Sequence, residues 1–266
     1  MQKQMTSPRY FTQSLAKGLK VLDAMARAGA PVTLSHVAEA VGVPASTAHR
    51  LLYTLEAEGY VERLPGTKEY RLTPNVLGLG FAFFQTSDLW QTAHPYLVKA
   101  SRTHGETFNL AVLDGTDILY IDRVKTRRIL SINLEIGSKL PAFCTSMGRV
   151  LLAARPAEQV REILARTDRS RFTGRTVTDT EEILRILEEV RRQGFAVNDG
   201  ELAVELRSVA APVRNRSGEV VAAVNLAVHA SEYSSEDMRT RLAPVVREVA
   251  GEISQALGWR SGNAPS

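Results

Sequence analysis

The residues best suited to chemistry in this chain fall in two places. In "VPASTAHRLLYTLEAEGYV" (43–61), Ser46, Thr47, His49 and Arg50 form a polar cluster opposite Ala48, Leu51, Leu52 and Leu55. Small and hydrogen-bonding groups at a helix start suit nucleic acid: hydroxyls reach phosphates or bases, and Arg forks onto guanine O6 and N7. The second place is Cys144-Thr145-Ser146. A thiol there raises nucleophilic catalysis, with His104 or His229 as base. Nothing in the sequence brings either histidine to Cys144, and a single cysteine among apolar residues reads as buried and inert. No phosphate-binding glycine loop, zinc-ligand spacing or Gly-x-Ser-x-Gly elbow occurs, so neither an enzyme nor a cofactor is expected. Asp122 and Arg123 in "YIDRVK" read as a surface or interface pair.

The whole chain bounds these readings. Its 266 residues suggest two domains, and 44% apolar residues suffice for packed cores. One cysteine forms no internal disulfide. No apolar stretch approaches a membrane span, and "MQKQMTSPRYFTQS" has no signal-peptide core, so a cytoplasmic setting is expected. The net charge is +4, and most of the excess lies in residues 1–85, which favours a polyanionic partner at that end.

The elements that must position the polar cluster are legible as periods and stops. "SLAKGLKVLDAMARA" (14–28) has apolar residues at 15, 19, 22 and 26, with Ser14 as its expected cap and Gly29 and Pro31 as its stop. "TLSHVAEAVG" (33–42) predicts a second helix capped by Thr33 and closed at Gly42. A third runs from Pro44 to about Glu58. "YVERL" and "EYRLT" around "PGTK" predict a hairpin with Lys68 near its tip. Helix, helix, glycine turn, helix and hairpin make a winged helix-turn-helix, whose second motif helix lies in the major groove. The same elements also suit a packing or dimerisation module without DNA.

Beyond a greasy helix over 73–85 and another over 88–104, the pattern changes to strands and helices. "ETFNLAVLDGTDILYIDRVK" predicts a hairpin, and "RILSINLE" (128–135) a third strand. Helices are predicted over "TSMGRVLLAA", "PAEQVREILAR" and "DTEEILRILEEVRRQG". "FAVNDGE" then predicts a strand, "LRSVAAPVRNRSGEVVAAVNLAVH" a hairpin, and 234–257 a last helix that Pro244 kinks or splits. The tail "SGNAPS" is expected to fray.

"SLAKGLKVLDAM", "TLSHVAEAVGVPASTAHRLLYTLEAEGYVER" and "YRLTP" together resemble the IclR family of bacterial transcriptional regulators. "LPAFCTSMGRVLLA" and "GFAVNDGELAVELRSVAAPVRNRSGEVVAAVNLAVHAS" continue the resemblance over residues 11–258. "TRRILSINLEIGSKLPAFCTSMGRVLLAA" looks closest to the subgroup regulating aromatic-acid catabolism (protocatechuate, 4-hydroxybenzoate, β-ketoadipate). One departure is His36, where members often carry a Glu that completes a capping box.

The resemblance implies an α+β chain in three parts. A winged helix-turn-helix spans 11–73, a linker helix 74–87, and a mixed α/β, GAF/profilin-like effector domain with a curved antiparallel sheet 88–258. DNA contacts are expected from Thr33, Ala45, Ser46, Thr47, His49, Arg50 and Lys68. Effector contacts are carried over to Ser146, Met147, Gly148, Asn198, Asp199, Ser208 and Asn225. Backbone N–H groups at a helix start suit a carboxylate, and Arg149 could add charge. Each has an ordinary reading too: "TSMG" as a helix cap, "NDG" as a turn, Ser208 and Asn225 as satisfied core polar groups. The implied partners are double-stranded operator DNA, a small organic acid and a second copy, as homodimer or dimer of dimers. The competing classes are a small-molecule enzyme with an accessory winged domain, and a sensor whose winged domain contacts protein.

Overall fold

The periodic apolar residues of the first third build three helices around one small core. The computed structural model describes residues 10–125 and 134–260. The chain divides into two units between Thr86 and Ser87. In the first, α1 (Gln13–Ala28), α2 (Leu34–Val41) and α3 (Ala45–Ala57) bury Val21, Met25, Val37, Ala48 and Leu52 together. α1 turns a different face inward from the one its spacing suggested. Val21 and Met25 are buried, whereas Leu15 and Leu19 are 63% and 56% exposed. Its N-cap is Thr12, and Ser14 lies inside the first turn.

α2 starts as expected, with the Thr33 hydroxyl accepting from the His36 N–H at 3.3 Å. Between α2 and α3 the chain must reverse within three residues. Gly42 does this in the left-handed region at φ +69°, letting its own N–H and that of Val43 reach the carbonyls of Glu39 and Ala38. The hairpin is β2 (Val61–Arg63) and β3 (Glu69–Leu72). A two-residue strand, β1 (Val32–Thr33), pairs with β3 as well and was too short to show as a period. α4 (Asn75–Thr86) follows and buries none of its residues; Leu77, Leu79, Phe81 and Phe83 are exposed.

The second unit opens with α5 (Asp88–His104), whose Ser87 cap accepts from the Trp90 N–H. Its six-stranded sheet is antiparallel throughout, in the order β6-β5-β4-β9-β8-β7. The strands are β4 (Thr107–Asp114), β5 (Asp117–Val124), β6 (Lys139–Pro141), β7 (Ala196–Asp199), β8 (Leu206–Arg214) and β9 (Val220–His229). Register breaks at Leu110/Ala111 and Val213/Arg214 insert extra residues, and such bulges bend a sheet. The strand expected over 128–135 falls mostly outside the described residues, as does the tail 261–266; β6 was not anticipated.

Helices cover both sheet faces, so β9 reads as nearly continuous apolar sequence rather than alternation. On one face α5 and α10 (Ala243–Ala256) pack on Phe108, Leu110, Val224 and Leu226. On the other, α6 (Ser146–Ala153) and α8 (Thr180–Gln193) pack on smaller residues such as Ala111, Ala210 and Ala223, with α7 (Ala157–Arg166) against α8. Pro244 splits the last helix as expected: a turn α9 (Ser235–Asp237) runs through a π-turn, Met238–Leu242, into α10, whose first turn holds the proline. Proline cannot donate to the carbonyl four residues back, and the wider π-turn takes up that mismatch.

Candidate nucleic-acid interface and effector cavity

Helical geometry decides what α3 presents. Ala48 and Leu52 are buried and Leu51 and Leu55 half-buried against the same core, so Ala45, Ser46, His49 and Arg50 stand exposed on the opposite face. Thr47 sits at the boundary, half-buried. Tyr53, 67% exposed, extends that face by one turn. No side chain caps the start of α3, because Pro44 has no acceptor to offer. The positive end of the helix dipole is therefore presented together with the Ser46 hydroxyl, a combination suited to phosphate. Glu56 and Glu58 lie at the far end. Lys68 is exposed in the hairpin loop, joined by Arg63, which the sequence reading passed over. Thr33 is exposed, with its hydroxyl already accepting from His36.

In the second unit, register gathers polar side chains onto the α6 face of the sheet. Across β5, β4 and β9, Arg123 lies opposite Asn109 and Asn109 opposite Asn225; across β7 and β8, Asn198 lies opposite Ser208. All border one small cavity, roofed by Cys144, Thr145 and Ser146 at the start of α6. Ser146 Oγ lies 2.8 Å from Ser208 Oγ, and Asn109 Nδ2 donates to Asn225 Oδ1 at 2.7 Å. Asn198 Nδ2 donates to the Cys144 carbonyl at 2.6 Å, fixing the roof to the sheet. Leu134, Leu140, Leu202 and Leu206 supply apolar walls. The cavity volume is only about 30 Å³, room for one or two waters, so a drug-sized guest requires the walls to separate.

Not every expected contact reaches this cavity. Met147 is in the hydrophobic core. Gly148 is there because α6 crosses the turn at Ala142 closely: a Cβ on it would lie 2.1 Å from the Ala142 carbonyl oxygen. Asp199 turns away to Arg207 and Arg175, at 2.6 and 3.0 Å. Arg149 gives the cavity no charge. Both its Nη atoms donate to Glu201, at 2.5 and 2.8 Å, and its Nε donates to the Phe143 carbonyl. Asp122 and Arg123 are no surface pair. Strand alternation puts them on opposite faces, and the bulge just before them sets which is which: Asp122, 1% exposed, accepts from His94 Nδ1 at 2.8 Å and from the Arg123 N–H, while Arg123 turns to the cavity.

Asn109, Tyr120 and Arg123 are polar cavity residues that sequence reasoning missed, as it missed Thr145 and the leucine walls. A signal for Asn109 did exist, since it interrupts "TFNLAVLD" much as Asn225 interrupts "VVAAVNLAVH". Burial pushes the Tyr120 phenol up to about 12, so it stays protonated and can donate. Burial, reinforced by nearby Glu201, likewise pushes the Cys144 thiol up to about 12, the reverse of an activated nucleophile. His229 Nδ1 pairs with Ser231, and the His104 ring lies beside Phe108.

A larger open groove of about 580 Å³ lies at the other end of α6. Two of its arginines are already engaged with main-chain carbonyls: Arg191 Nε donates to Ala153 and Arg214 Nη1 to Gly218, both at 2.8 Å. The enclosed cavity, where buried polar groups converge, is the better candidate despite its size. No described helix is long and apolar enough to cross a membrane.

Comparison with known proteins places both units. The family model described as "IclR helix-turn-helix domain" matches residues 14–65, and "Bacterial transcriptional regulator IclR C-terminal" matches residues 81–255. The Pca regulon regulatory protein of Pseudomonas putida is 37% identical over 248 residues, covering 93% of this chain and 84% of its own length. The crystal structure of a transcriptional regulator from Rhodococcus sp. RHA1 superposes with a TM-score of 0.78 at 41% identity, covering 93% of this chain and 98% of that one. An IclR homologue from Microbacterium hydrocarbonoxydans, solved in complex with 4-hydroxybenzoate, superposes with a TM-score of 0.77 at 27% identity, covering 92% and 99%.

Proposed function

The chain belongs to the IclR family of bacterial transcriptional regulators and is a ligand-responsive DNA-binding regulator, and from that premise we propose that it controls catabolism of a small aromatic or carboxylic acid sensed in the cavity beneath α6. The observation that carries this reading is the convergence of Ser146, Asn198, Ser208 and Asn225 on one enclosed space between apolar walls. Few polar groups in an apolar site fix a small guest's orientation. The Pseudomonas putida and Microbacterium hydrocarbonoxydans relatives support an aromatic acid as the ligand.

DNA reading is assigned to α3, with Arg50 and His49 toward base edges and Ala45, Ser46 and Thr47 close to the backbone. Thr33 and Lys68 reach flanking phosphates. The parts are a winged helix-turn-helix at 11–73, a linker helix at 74–87 and an effector domain at 88–258; helices on both faces of an antiparallel sheet support a GAF- or profilin-like description of the last. The apolar residues left exposed on α1 and α4 support a homodimer or dimer of dimers on a two-fold operator. Ligand then shifts the population that grips both half-sites.

The test uses the full chain. Thermal shift against benzoate, 4-hydroxybenzoate, protocatechuate and adipate should single out at least one stabilising acid, since a ligand bound to the folded state raises its stability. That acid should change the mobility shift of DNA upstream of the gene, measured across several salt concentrations. No stabilisation by any acid, or an unchanged DNA complex, refutes the proposal.

A further inference from the structure

We infer that Arg123 is the counter-charge that makes this cavity select an anionic ligand, a carboxylate carried on an apolar body. The inference rests on the effector reading of the cavity and names the group that decides its ligand class. Arg123 is the one charged side chain among the described residues lining the cavity. Its Nη1 donates to Asn109 Oδ1 at 3.1 Å, but its buried Nε has no hydrogen-bond partner among the described residues. A buried cationic donor left unsatisfied is uncommon, and one cause is a partner that arrives only with a ligand.

Two other arginines tucked into this unit have a carboxylate of their own: Arg149 has Glu201 and Arg207 has Asp199. No carboxylate among the described residues hydrogen-bonds the Arg123 guanidinium, although the charge of Glu135 is felt there. Asp122 faces the opposite side of the sheet, held by His94 and by the Arg123 main chain. Glu135, exposed, is bonded by Lys125. Burial lowers the affinity of Arg123 for its proton, yet an arginine remains charged at any physiological pH. A carboxylate entering the cavity would supply the Arg123 guanidinium with an acceptor of opposite charge.

The surroundings narrow the class further. Asn109 is already oriented by Asn225, so the Arg123 end is rigid and polar. The Tyr120 phenol, kept protonated, adds a donor at the same end. Leu134, Leu140, Leu202 and Leu206 suit an apolar or aromatic body, and the Ser146–Ser208 hydroxyl pair can meet a neutral polar substituent. With one cation, the cavity suits a monocarboxylate better than a dicarboxylate.

The test compares acids with their neutral amides, benzoate with benzamide and 4-hydroxybenzoate with 4-hydroxybenzamide, by calorimetry on the full chain. Wild type should bind the acid of a pair more than 10-fold tighter than the amide. Arg123→Gln should weaken the acid by about 10- to 100-fold, the range for losing a charge-assisted hydrogen bond, and leave the amide within about 3-fold. Arg123→Met serves if the Gln variant does not fold, judged by circular dichroism. Acid binding that is equal in wild type and variant overturns the inference while the effector reading stands. If no acid, adipate included, binds wild type, the effector reading itself fails and this inference with it. If adipate binds tighter than benzoate, the monocarboxylate assignment is wrong.

Discussion

Replacing Glu201 by Ala should cost the second unit about 3–5 kcal/mol, because it strips the buried Arg149 of its only carboxylate among the described residues. The side chains of Arg149 and Glu201 are 4% and 9% exposed. Glu201 accepts from both Arg149 Nη atoms and from the Val177 N–H at 3.1 Å, so truncation strands three donors away from water. The pair also ties α6 to the turn after β7. Glu201 N–H donates to Asn198 Oδ1, and Leu202 next to it walls the cavity. At about 2–4 °C per kcal/mol for a domain of this size, the melting temperature of the second unit should fall by roughly 6–20 °C. The assay is denaturant and thermal unfolding of the full chain, with the transition of the first unit as internal reference. Arg149→Met with Glu201→Leu should recover most of the loss, since an apolar pair of similar volume avoids the desolvation of both charges. Ligand affinity should drop more than operator affinity in the single variant. A Glu201→Ala protein within about 1 kcal/mol of wild type, or effects of the two positions that simply add, would refute the argument.

Arg50→Ala should weaken specific operator binding by about 1–3 kcal/mol with the fold intact, read by mobility shift, if Arg50 makes a bidentate base contact; unchanged affinity removes it from that role. Ser146→Trp should fill the small cavity and abolish response to the acid while DNA binding persists, and a variant that still responds disproves the site. Gly148→Ala should destabilise the second unit by about 1–3 kcal/mol or more, because the new methyl meets main chain at Ala142 rather than a side chain that can swing away. Cys144 should resist a thiol reagent at pH 8 until the protein unfolds. Its folded value is raised, so its stabilising contribution is complete below the ordinary thiol value of 9.0 and is lost as pH climbs toward about 12. Wild type should therefore lose more stability than Cys144→Ala between pH 9 and pH 11; equal slopes would contradict the burial.

Much of the architecture was legible because it is local. The stops at Gly29, Gly42 and Gly194 and the Asp114-Gly115-Thr116 turn depend on neighbours within a few residues. So do the cap at Thr33 and the break at Pro244. The face of α3 that carries Ser46, His49 and Arg50 followed from the 3.6-residue period alone. α1 was misjudged because it carries apolar residues on two faces, and periodicity does not say which one meets the core of its own chain.

What the sequence by itself determined, then, is where most of the helices and the longer strands lie and which residues at the start of α3 stand free. These follow from periods, caps and turns whose energies are settled within a few residues. Only the tertiary structure decided which buried polar groups meet. Ser146 finds Ser208 across 62 residues, and Asn109 finds Asn225 across 116. The sequence offered Arg149 to the effector site and Arg123 to the surface, yet Arg149 is neutralised by Glu201 and Arg123 is the one facing the cavity. Register, one inserted residue on β5 and the passage of α6 over the sheet set those partnerships. None of them leaves a mark within the few residues over which local preferences act.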